Sequence, residues 1–122
     1  MATVTVRAKY EPAIRRGVDL TASAAQTVVA SGGLYRRIPT GTLAEDVVLN
    51  LSPSGVADGQ QLCIQREDTQ PHLVTVRDQN TGAVLTVMAK MQKWNAVFEW
   101  DAGNPELEQP ATWFLVMESQ RS

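Results

Sequence analysis

The sequence predicts an all-β fold, a single-domain β-sandwich or jelly-roll-like body with an extended N-terminal arm, and three observations carry that expectation. From Ala44 to Ser54, AEDVVLNLSPS, the side-chain period is two, with Val47, Leu49 and Leu51 on one face of a strand and Val48 and Asn50 on the other. After the turn Pro53-Ser54-Gly55, a second run sets Leu62, Ile64 and Arg66 against Gln61, Cys63 and Gln65, and Val74-Thr75-Val76 follows a polar loop. Gly, Pro, Asp and Asn bound these runs, so they read as a meander in which each strand pairs with the next. The other alternating runs bring the total to about eight, the usual size of a two-sheet sandwich. No internal period of 20–50 residues is visible, which argues against a solenoid.

A chain of 122 residues is long enough for one core and too short for two. The formal net charge is −2, so a clustered basic surface for nucleic acid is not expected. The one cysteine, Cys63, precludes an intramolecular disulfide, and its mid-strand position suits a small buried hydrophobe. MATVTVRAKYE has no apolar segment of signal-peptide length behind a basic start, which suggests synthesis in the cytosol, and no run is long enough to cross a membrane as a helix.

Residues 2 to 9 alternate, Val4, Val6 and Ala8 against Thr3, Thr5, Arg7 and Lys9. Pro12 then stops any ladder, and Gly17 permits a sharp change of direction. A lone short strand gains too little from burial to offset ~1–2 kcal/mol per residue of backbone ordering. Residues 1–20 are therefore expected to form an arm that orders only where something receives it, either the edge of its own sheet or a neighbour, with the body spanning 21–122. The arm is basic, with Arg7, Lys9, Arg15 and Arg16, whereas residues 94–119 carry Glu99, Asp101, Glu106, Glu108 and Glu118 without a Lys or Arg. The two ends can meet within one molecule or between copies, each exposed pair contributing only ~0–1 kcal/mol.

Within the body, a strand is expected at Gln26 to Ser31, then a turn at Gly32-Gly33 and a strand at Leu34 to Ile38, which together suggest a hairpin. Arg36-Arg37 suits a strand edge protected by charge. Asp78-Gln79-Asn80-Thr81-Gly82 is turn chemistry. Ala83 to Ala89 is apolar on both faces, with Val84, Thr86 and Met88 against Leu85 and Val87, as for a strand buried between layers. Lys90 to Asn95 reads as a polar bend, and Ala96, Phe98 and Trp100 alternate inward after it. The closing strand alternates Trp113, Leu115 and Met117 against Phe114 and Val116, so it is expected to be central or to face another subunit.

Catalytic chemistry is sparse. The single histidine, His72, follows Pro71, and Ser54 lies in SPSG without the GxSxG elbow. Glu45-Asp46 and Glu67-Asp68 are adjacent pairs whose side chains diverge along a strand. Asn50-Leu51-Ser52 matches the glycosylation triplet but falls inside a strand. Trp94, Trp100 and Trp113 could form a sugar platform, although Trp100 and Trp113 suit a core better.

The order of elements from Val47 to Val116 resembles a β module that recurs in virion proteins of tailed phages. The residues that carry the resemblance are Val47-Val48-Leu49-Asn50-Leu51, Asp58-Gly59-Gln60, Ile64-Gln65-Arg66 with Asp68, Val74-Thr75-Val76, Gly82 and Trp113-Phe114-Leu115-Val116. The acidic loop Asp101 to Gln109 departs from it, standing where the module has a short turn before the tryptophan. The resemblance implies a non-enzymatic structural protein without cofactor or metal. A chain this short has no room for a fibre shaft, so it implies a capsid decoration or cement protein that binds the major capsid protein on the outer surface of the virion. It further implies a homo-oligomer, with a trimer favoured and a dimer possible, made in the host cytoplasm and binding neither nucleic acid nor membrane. On that reading Val4, Val6, Arg7, Lys9, Tyr10, Arg15 and Arg16 meet the capsid, and Trp94, Phe114 and Val116 meet sister subunits. The alternative is a tail-fibre, spike or adaptor module that recognises a host glycan through an exposed tryptophan cluster.

Overall fold

The computed structural model describes residues 17–21 and 23–121. Eight strands follow one another: β1 (Ala25–Val28), β2 (Tyr35–Ile38), β3 (Val47–Leu51), β4 (Gln61–Arg66), β5 (Val74–Asp78), β6 (Val84–Met88), β7 (Lys93–Asp101) and β8 (Thr112–Arg121). They form two four-stranded sheets, ordered β1-β3-β5-β6 and β2-β4-β7-β8, which pack face to face as a sandwich. The expected sandwich is present. The inward faces are those the alternation marks: Val47, Leu49 and Leu51 from β3, Leu62 and Ile64 from β4, Val74 and Val76 from β5, and Ala96, Phe98 and Trp100 from β7 are all buried. Each large apolar side chain so buried contributes roughly 1.5–3 kcal/mol.

The connections differ from those expected. β3, β4 and β5 do not form a meander: β3 pairs in parallel with β1 and β5, and β4 pairs in parallel with β2 and antiparallel with β7. The first five strands alternate between the sheets, winding as a short coil, and the hairpin expected about Gly32-Gly33 is instead a crossing through the 3-10 turn Ala30–Gly32. Hairpins occur at β5–β6 and β7–β8, so the sheets are mixed where a jelly roll would be antiparallel. Alternation reports which face is buried and says nothing of which neighbour is bonded. β6 is an edge strand rather than a layer between two others. A bulge at Val76/Arg77 pairs Arg77 with Val84, turning Val84 outward, while Thr86 and Met88 stay buried. The strand expected from Ala96 already begins at Lys93, and β8 is an edge strand too.

Two polar clusters tie the sheets together at opposite ends. At one end Arg66, with no exposed surface, projects from β4 toward the other sheet and spends its donors on five backbone carbonyls. Nε reaches Asp68 O at 2.8 Å, Nη1 reaches Met88 O and Ala89 O at 3.2 and 2.8 Å, and Nη2 reaches Gln70 O and His72 O at 2.9 and 2.7 Å. Burial pushes the guanidinium below its ordinary value and Asp68 pushes it back. Asp68, equally buried, accepts from Leu43 N and Gln70 N. At the other end Asp78 accepts from the Thr81 amide and hydroxyl with Oδ2 and from Trp113 N with Oδ1, while the Trp113 indole donates to Ser52 O.

The chain enters along β2. Gly17 N donates to Tyr35 O, Val18 N to Gly32 O and Leu20 N to Arg37 O, and Leu20 is buried in the core. The boundary expected at residue 20 therefore falls within a stretch that packs on the body. Gly17 passes so close to the Gly32-Gly33 turn that a Cβ on it would lie 2.2 Å from Gly32 O, so only glycine fits there. Arg36 points inward rather than guarding an edge, donating to Val18 O and Val29 O.

Replacing Arg66 by Met strands carbonyls in an apolar interior and is expected to cost about 3–5 kcal/mol in urea unfolding. Lys90→Ala, at an exposed turn, is expected to stay within about 0.5 kcal/mol of the parent.

Candidate interaction surface

The outward face of the β2-β4-β7-β8 sheet is assembled from rows set by register. Tyr35, Cys63, Val97 and Met117 form one row, and Arg37, Gln65, Asn95 and Ser119 the next. Between them lies a shallow depression of about 210 Å³ whose lining also includes Glu118. A bulge at Val97/Phe98 leaves Val116 without a partner on β7 and turns Met117 outward. Phe114, Val116 and Met117 are 38%, 45% and 61% exposed, giving β8 a run of apolar side chains in solvent.

Polar groups frame this area. The Tyr35 hydroxyl donates to Gln65 Oε1 at 2.5 Å, Gln61 Nε2 donates to Glu99 Oε1 at 3.1 Å, and Arg37 lies 3.6 Å from Asp19. Arg37 Nε and Asn95 Oδ1 are buried without a hydrogen-bond partner among the described residues. Where β8 approaches β6, Glu118 Oε2 accepts from the Thr86 hydroxyl and from the Trp94 indole, the latter at 3.1 Å. Cys63 is half-buried on the outward face, not in the core, and burial pushes its thiol up.

His72 lies elsewhere, its Nδ1 3.7 Å from Asp46 Oδ1. Among the described residues no three His, Cys, Asp or Glu side chains converge as a metal site. What the face offers is apolar area interspersed with hydrogen-bonding side chains, a surface suited to contact with another chain.

Of the residues expected to bind partners, Val4, Val6, Arg7, Lys9, Tyr10, Arg15 and Arg16 lie outside the described residues. Phe114 and Val116 are on the exposed face, whereas Trp94 is in the core and presents little surface to a sister subunit. Trp94, Trp100 and Trp113 are only 8%, 6% and 1% exposed, Trp100 and Trp113 packing edge to face at 5.6 Å. The tryptophan platform of the glycan reading is therefore not displayed. Met117, Tyr35, Val97 and Glu118 join the surface without a sequence signal, because bulge and register place them there. Compared with models of known families, with curated proteins and with solved structures, the chain gives no match.

The raised thiol makes Cys63 a poor nucleophile near neutrality. Alkylation of the native protein at pH 8 is expected to be about tenfold slower than that of the urea-unfolded chain, and to accelerate as pH rises beyond 9. Because the folded state favours the protonated thiol, the associated stability is present below the unfolded value and fades as pH climbs through the folded one.

Proposed function

We propose that the protein is a non-enzymatic structural component of a tailed-phage virion, a decoration or cement protein that binds the assembled head and bridges capsid subunits. The observation that carries this reading is the exposed apolar run Phe114, Val116 and Met117, close together on one edge strand, whereas the other exposed large apolar side chains, Val18, Leu34, Val84, Val87, Met91 and Leu107, lie on other elements. A surface of that kind on a small folded body is suited to joining other chains. The resemblance of Val47–Val116 to virion β modules supplies the setting.

In this role the body lies across joints between capsid subunits. The segment before Gly17 lies along the shell or an adjacent subunit, adding main-chain hydrogen bonds as an extra strand, with Arg7, Arg15 and Arg16 meeting carboxylates. A protein that binds only the assembled state stabilises it by mass action, so the shell withstands heat and internal pressure better.

Removal of residues 1–16 spares the hydrogen bonds of Gly17, Val18 and Leu20 and is expected to leave the body folded, with an unchanged far-ultraviolet circular dichroism spectrum. The same truncation is expected to lower binding to assembled heads, measured by co-sedimentation, at least tenfold. Undiminished binding would remove the arm from this role.

A further inference from the structure

We propose that the free edge of β8 accepts a strand, and that its occupant is the alternating segment Thr3–Lys9 of a second copy of the chain. This rests on reading the N-terminal segment as a donated arm and does not depend on the capsid.

The edges of the two sheets are unequal. β1 and β2 have four residues each and β6 has five, and the outer side of β2 is covered by residues 17–20. β8 runs for ten residues at the end of its sheet, and among the described residues no strand pairs with its far side. A long edge flanked by exposed apolar side chains is a template for another strand, and stable proteins cover such edges.

The chemistry of the edge matches the segment. A strand added beside β8 turns alternate side chains to the outward face and to the seam with β6. Outward lie Phe114, Val116 and Met117, which suit Val4, Val6 and Ala8; at the seam lies the Glu118 carboxylate, which suits Arg7 and Lys9. Residues 94–119 carry acidic groups and no basic ones, and the basic residues Lys93 and Arg121 pair in register at the far end of β8.

The point of entry favours exchange between copies. Gly17 lies beside the outer edge of β2, four strand spacings or roughly 19 Å from β8. Residues 17–20 run parallel to β2, Gly17 facing Tyr35 and Leu20 facing Arg37, so the described chain begins at the edge of the sheet opposite β8. To reach β8 of its own copy the segment before Gly17 would have to cross all four strands of the outward face. A contact from arm to edge is head-to-tail, and it closes into a ring when the rotation permits.

Cross-linking tests this without a capsid. In a Cys63→Ser background, a mass-tagged chain carrying Val6→Cys is mixed with untagged chains carrying Phe114→Cys, Val116→Cys or Met117→Cys and mildly oxidised. The expected result is a disulfide-linked heterodimer for at least one pairing. Double variants that form the bond only within one chain, or no cross-link in any pairing, would overturn the proposal. Separately, Met117→Asp, at an exposed position, is expected to weaken self-association at least tenfold by analytical ultracentrifugation, and an unchanged oligomer or a monomeric parent would count against it. Loss of capsid binding with cross-linking intact would instead sink only the virion role.

Discussion

The fold depends on what Arg66 does with its five donors. A chain that winds from one sheet to the other leaves carbonyls at the ends of its turns with no ladder to join, and a buried carbonyl without a partner costs about 1–3 kcal/mol. Arg66 gathers five carbonyls onto one guanidinium fixed in β4, three from the loop that leads into β5 and two from the last residue of β6 and the residue after it, Gln70 O also accepting from the His72 and Met91 amides. Asp68 holds the same loop through two amides, so the pair replaces the regular hydrogen bonding that the coil gives up. Lysine could not do this, because its donors radiate from a single nitrogen and cannot fan out over five acceptors.

Arg66 closes one end of the sandwich, and Asp78 with Trp113 closes the other. What remains open is the side, where β6 and β8 approach without pairing and Glu118 bridges the gap through Thr86 and Trp94. The same strand that carries Glu118 carries the exposed apolar run. A folded body with an exposed apolar run beside a polar seam has a flank on which another chain can be held.

The burial pattern was legible because it follows from a period of two. Leu62, Ile64 and Arg66 share a face in the sequence and in the structure, and so do Ala96, Phe98 and Trp100. Partnership between strands was not legible, because Gly32-Gly33 and Pro53-Ser54-Gly55 serve a crossing between sheets as well as they serve a hairpin. The candidate surface was half legible. Phe114 and Val116 stood out, but strict alternation assigns Met117 inward with Leu115, and only the extra residue at Val116 turns it out. Trp94 is buried because β7 starts at Lys93, inside the stretch Lys90 to Asn95 whose polar residues suggest a bend, and Arg36 turns inward because its partners, Val18 O and Val29 O, lie in the entry segment and the first crossing, where no local signal marks them.

The most direct measurement is cryo-electron microscopy of virions in which this protein carries a compact fusion tag at its C-terminus. Tagged density repeated over the outer surface of the head, bridging neighbouring capsid subunits, is the expected result. Tagged density confined to the tail, or virions that carry none, would contradict the role proposed for this sandwich.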